Sequence, residues 1–244
     1  MAYIYRLFLL VLLILLNWNV KAQSPASSLT SLVDQAIIDF EQTPKKFWSF
    51  EVSRYENEEG NITSSIERFE PQPNQNKQWS LIRLNDSEPT QAEIEKFVKS
   101  KHKQAKKSKD EKSYSVELRE LINLKSLAFQ SENETHITMT FNVYLPKLGK
   151  DAEGKLDGVL TYHKQDKFID KITIENNADF SPILSANISN LSIVFDFIKI
   201  DESILFSENS MKMKGTFAYF IEIDEVSSDV FSKFQYKPYS IASE

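Results

Sequence analysis

Residues 156–176 restrict this chain more than any other stretch. Two runs rich in β-branched and aromatic residues flank a polar turn, His163-Lys164-Gln165-Asp166-Lys167. In the second run Phe168, Ile172 and Ile174 fall on one face, with Asp170 among them, and Lys171, Thr173 and Glu175 fall on the other. A period of two around a polar turn predicts an antiparallel hairpin with one buried face. The same alternation recurs at Trp48, Phe50 and Val52, and at Ile137, Met139, Phe141, Val143 and Leu145. It returns at Leu191, Ile193, Phe195 and Phe197, and again at Met211, Met213, Phe217, Tyr219, Ile221 and Ile223. Weaker strand signals cover residues 62–69, 79–84 and 230–236.

So many strands need a cover for their apolar face. Two helical patterns supply candidates. Leu29, Leu32, Val33, Ala36, Ile37 and Phe40 form one apolar stripe, ended by Thr43-Pro44. Thr90 and Glu93 form a capping box ahead of the short patch Ile94, Phe97 and Val98. Residues 99–112 are lysine-rich and nearly devoid of apolar side chains, which predicts a solvated loop or a frayed helix end. Residues 114–127 suit a helical turn or two. The expected fold is α+β and mainly β. It is a curved antiparallel sheet, or incomplete β-barrel, covering one or two helices in a single domain over residues 23–244.

The first 22 residues read as a signal peptide. Arg6 precedes the unbroken apolar run 7–16, and Val20-Lys21-Ala22 approximates a small-x-small cleavage pattern before Gln23. The run is shorter than the roughly 20 residues that span a bilayer. A periplasmic location follows as the expectation. The chain has no cysteine, which excludes disulfides, thiolate metal sites, a Cys nucleophile and a lipidated N-terminal Cys. A net charge of −6 argues against nucleic acid as a partner.

Signals for catalysis are missing. His102, His136 and His163 are not spaced as metal ligands, and no nucleophile elbow or phosphate-binding glycine loop is present. Asp157, Asp166, Asp170 and Glu175 read as a solvated rim around the central hairpin. The chain is therefore expected to be no enzyme and to use neither cofactor nor metal. Three arginines, Arg54, Arg68 and Arg83, follow strand faces and are candidates for an anionic head group. Lys99, Lys103, Lys106 and Lys107 are candidates for docking to an anionic membrane surface or acidic partner.

Several short stretches carry a resemblance. Trp48-Ser-Phe-Glu-Val, Glu67-Arg-Phe-Glu-Pro, Trp79-Ser-Leu and Pro89-Thr90 resemble a group of uncharacterised exported proteins of Gram-negative bacteria. Leu156-Asp-Gly-Val-Leu, Ile172-Thr-Ile and Phe180-Ser-Pro look like the hairpin and following turn of that group. More distantly, the order helix, strands, helix, many strands is similar to the periplasmic lipoprotein-carrier (LolA/LolB-like) proteins. That resemblance implies an incomplete barrel enclosing helices, with acyl chains in an apolar cavity. No functional residue of that family aligns one by one.

The resulting expectation is a monomeric, non-catalytic, carrier-like protein that binds a lipid or an acylated partner. Trp48, Phe50, Phe141, Phe217 and Tyr219 are the candidate cavity residues. The alternative is an envelope interaction or scaffold protein in which the same residues pack a core and hold no small-molecule ligand.

Overall fold

A computed structural model describes residues 25–74, 77–110, 117–218 and 220–238, with the side chains of 25–27 and 106–110 left aside. The signal segment and the cleavage site before Gln23 lie outside the described residues, as does Tyr219. Ten strands form one antiparallel sheet in the order β3-β2-β1-β10-β9-β8-β7-β6-β5-β4. They are β1 (Trp48–Glu58), β2 (Asn61–Phe69), β3 (Trp79–Leu84), β4 (Ala128–Glu132) and β5 (His136–Asn142). β6 (Leu156–His163), β7 (Phe168–Asn176), β8 (Ala186–Ile200), β9 (Ser203–Phe217) and β10 (Ile221–Tyr236) follow. The sheet curves and does not close, because β3 and β4 end it unpaired to each other.

Helix α1 (Pro25–Gln42) lies on the inner face, against β7, β9 and β4. Its stripe is fully used. Val33, Ala36, Ile37 and Phe40 are buried against Met139, Phe141, Leu160, Ile172, Ile174 and Leu191. Thr43 anchors the end of the helix: its Oγ1 donates to Asp39 O at 3.2 Å and accepts from Ile204 N at 2.9 Å. Close packing explains Gly158. A Cβ there would come within 2.4 Å of the Phe141 ring, so the glycine lets that ring lie flat across β6.

Helix α2 (Gln91–Asp110) covers the other wing, beside β3. The lysine-rich stretch, expected as a loop or frayed end, is helical as far as Asp110. The capping box is present, with Thr90 N donating to Glu93 Oε2 at 2.8 Å. Residues 118–121 make one turn of helix, α3 (Leu118–Leu121).

The central hairpin departs from simple alternation at one point. Thr161 pairs with Lys171 but Tyr162 pairs with Ile169, so Asp170 is the extra residue of a β-bulge. Ile169 takes the inward position, 3% exposed, and Asp170 is turned aside toward His136. The long strand β9 also departs from expectation. Met211 and Met213 pack at the core margin, while Phe217 is 40% exposed where the sheet runs past the helices.

Candidate functional site

One rung of the sheet shows how the inner face changes character. Ile172, Phe195, Asn209, Asp229, Arg54 and Ser65 are successive partners across β7, β8, β9, β10, β1 and β2. Directly paired residues share a face. The rung therefore begins apolar beneath α1 and turns polar between the helices. β10 is an internal strand with neighbours on both sides, yet none of its described residues is buried. Neither helix covers it.

At the end of β10 this uncovered strip opens into a cavity of about 110 Å³. Trp48, Phe50, Leu205, Phe206, Phe231, Phe234 and Lys45 line it. Its walls are braced by aromatic edges. Phe50 meets Phe231 edge-on at 5.6 Å, and Trp48 meets Phe234 at 6.5 Å. Trp48 Nε1 donates to Ser203 Oγ at 3.3 Å, which fixes the indole. A bulge builds the pocket. The register slips between Ser49 and Glu51, and Lys233 takes the left-handed conformation at φ 55°. Phe231 and Phe234, three apart in sequence, thereby face the same space.

Lys45 is the polar group of this cavity, and its Nζ lies 3.3 Å from the Phe40 ring centroid. Burial of the amine pushes it down to about 8, against the raising pull of Glu41. A charged amine over an aromatic wall suits an anion at the mouth and an apolar group within.

Beside the pocket lies a cluster of four charges. Arg54 pairs with Asp229, and its Nε lies 3.1 Å from Glu67 Oε2, off the hydrogen-bonding direction. Lys101 reaches down from α2 to the same Glu67 oxygen at 2.6 Å and covers the Trp79 ring at 4.4 Å. Burial, the largest effect, works against the Arg54 charge, yet Glu67 and Asp229 hold its pKa above the usual value. Burial keeps Lys101 below the usual lysine range despite Glu67. These charges neutralise one another, although Arg54 Nε and Glu67 Oε2 are buried without a good hydrogen bond. Asn209 Oδ1, on the next strand, is buried without a hydrogen-bond partner.

The expected cavity residues are not gathered in one place. Trp48 and Phe50 line the pocket, Phe141 is 3% exposed in the packed core, and Phe217 stands at the open end of the sheet. The three arginines are dispersed too. Arg54 is neutralised on the inner face. Arg68 pairs with Glu51 and Glu70 on the outer face, and Arg83 donates to Asp86 O from an exposed position. Lys99 and Lys103 point to water, and the side chains of Lys106 and Lys107 lie outside the described residues.

Lysine 101 was the informative one. It continues the stripe of Ile94, Phe97 and Val98 at helical spacing, which is the signal for a lysine that turns inward. Phe231 and Phe234 carried a signal as well, since a spacing of three breaks the period of two.

A second depression, about 580 Å³, opens at the turns after β6 and β8 and is lined by His163, Asp166, Asp170, Lys199, Asp201 and Glu202 among others. There His163 Nδ1 lies 3.1 Å from Asp166 Oδ2, and His136 Nε2 lies 3.4 Å from Asp170 Oδ2. Among the described residues no three His, Asp or Glu side chains are grouped to hold a metal ion. The depression is wide and mostly polar, with four carboxylates among its nine lining residues, so the aromatic cavity is the better built of the two.

No protein-family model and no curated protein sequence matches this chain. Two solved structures match it over most of its length. One is a DUF1329 family protein from Desulfovibrio piger, 10% identical, with 88% of this chain and 97% of that chain covered and a TM-score of 0.35. The other is a domain described as an outer membrane lipoprotein-sorting protein, from Vibrio parahaemolyticus. It is 6% identical, with 84% of this chain and 93% of that chain covered and a TM-score of 0.32. The chain is distantly similar to both.

Proposed function

We propose that this protein is a non-catalytic, carrier-like protein of the periplasm that binds the apolar part of a lipid or of an acylated partner on its inner face. The observation that supports this reading most is the aromatic cavity at the end of the uncovered strip on β10. At about 110 Å³ it is smaller than the ~150 Å³ cavity known to take up benzene, so it accepts the few methylenes next to a head group rather than a whole lipid. The remainder of the chain would lie along β9 and β10, where Met211, Met213 and Ile223 offer a deformable, half-buried surface. Lys45 meets a carboxylate or phosphate at the mouth. The scaffold reading is favoured at one place only: Phe141, packed on Gly158, is core.

The test is titration of a fluorescent fatty acid into delipidated protein purified from an expressing bacterium. Saturable binding to one class of site is expected, and Phe231→Glu should weaken it at least about tenfold by placing a charge in the cavity. The amine attracts an anion only while protonated. Binding of the fatty acid should therefore weaken as pH rises through about 8, and Lys45→Met should flatten that profile. Binding that never saturates, or that ignores Phe231→Glu, would sink the proposal.

A further inference from the structure

The two most exposed large apolar side chains among the described residues stand together at one end of the sheet, with three others beside them. Leu184 is 102% exposed, Phe220 84%, Ile183 58%, Ile221 45% and Phe217 40%. Ile183 and Leu184 sit on the connection 177–185 before β8, Phe220 sits on the connection 218–220 before β10, and Phe217 and Ile221 are the paired strand ends that flank it. These are tied together, since Ala218 N donates to Ser185 O at 2.6 Å and Ala186 pairs with Phe217. The first connection is also braced from behind. Gly149, at φ 83°, lies so close to Pro182 that a Cβ would come within 2.7 Å of its carbonyl oxygen. Asp151 Oδ2 accepts from Ser181 N at 2.8 Å. Leu184 is thus presented on a supported turn, with no protein surface against it.

We propose that this end of the sheet docks on a lipid bilayer, with Leu184 and Phe220 inserted among the acyl chains. The reading is independent of any ligand on the inner face. Three observations favour a bilayer over a protein partner. The cap is five residues, against roughly 20–30 a side in a stable protein interface. It also protrudes from two turns, and a fluid phase accepts protruding side chains without a matching hollow. Lastly, two lysines near it are paired internally, Lys155 with Asp151 at 3.0 Å and Lys214 with Asp224 at 3.1 Å, while Asp179 in the first connection and Glu222 beside Ile221 are acidic and have no ion pair among the described residues. The attachment is therefore apolar and insensitive to salt, unlike docking through the lysines of α2.

The chain contains no cysteine, so one introduced thiol reports one place. Ser185→Cys, labelled with an environment-sensitive dye, is mixed with phosphatidylcholine vesicles, and Glu202→Cys at the opposite end of the sheet serves as the comparison. The dye at 185 should shift to the blue and be quenched by brominated lipid, at low and high salt alike, while the dye at 202 stays in water. Adding Leu184→Asp and Phe220→Asp together should lower vesicle partitioning of the labelled protein at least about tenfold. Vesicle binding with the dye at 185 still in water would assign attachment elsewhere and overturn the proposal. A blue shift that grows with protein concentration in the absence of vesicles would overturn it in favour of a second copy.

Discussion

The two wings of the inner face follow the same alternating pattern and reach different states. Under α1, strands β5 to β7 present Met139, Phe141, Leu160, Ile172 and Ile174, each at most 3% exposed. On the other wing, strands β1 to β3 beside α2 and the uncovered β10 present a four-charge cluster and an open aromatic cavity, and no described side chain of α2 is buried. The strands do not account for the difference, since both wings contain large aromatics at inward positions. The helices do. One brings a continuous apolar stripe, and the other brings Ile94, Phe97 and Val98 followed by Lys101. A sheet face becomes core only where its cover can match it. Where the cover is polar, the same face remains available for another molecule.

Truncating one phenylalanine in each wing should split them most widely. Phe141→Ala is expected to cost about 3–5 kcal/mol, the full amount for a packed ring. Phe231→Ala should cost about 1–2 kcal/mol, because it enlarges a space that already exists. Equal shifts in urea midpoint would erase the distinction between the wings. The charge cluster gives the next largest effect. Removing Glu67, which is 5% exposed, leaves Lys101 partly buried and unpaired, so Glu67→Ala should cost about 3 kcal/mol. It should also loosen α2, read as faster amide exchange there with α1 unchanged. If α2 keeps its protection, Lys101 does not hold it. The smallest effect belongs to the end of the sheet beyond both helices. Phe217→Asp should cost under about 1 kcal/mol, comparable with Lys214→Asp, because Phe217 is already 40% exposed. A loss of several kcal/mol would mean that the core extends further along β9.

Much of the fold was legible because alternation and helical periodicity are local properties. The stripe from Leu29 to Phe40 and the central hairpin needed nothing beyond spacing. Irregularities were harder. The bulge at Asp170 is set by pairing with Thr161 and Tyr162, and the slip that brings Phe231 and Phe234 together is set by pairing with β1. A bulge depends on the partner strand as well as its own, so period counting along one strand passes over it. The site suffered most from this. Alternation placed Phe217 inward correctly as to face, but only the length of the helices decides whether an inward face is covered. Arg54 looked available as a cation because its neutralising partner, Asp229, comes from the far end of the chain.

That distance has a kinetic consequence. β1 joins the sheet only through β10, so Trp48 finds its partner Tyr236 after nearly the whole chain exists. The hairpin of β1 and β2, with β3 beside it, has no other sheet to add to. During synthesis this early wing should persist as a three-stranded piece with an open edge, while β5 to β9 assemble from near neighbours. Refolding should accordingly show a slow phase reported by Trp48 and Trp79, and the waiting edge is where a chaperone would be needed.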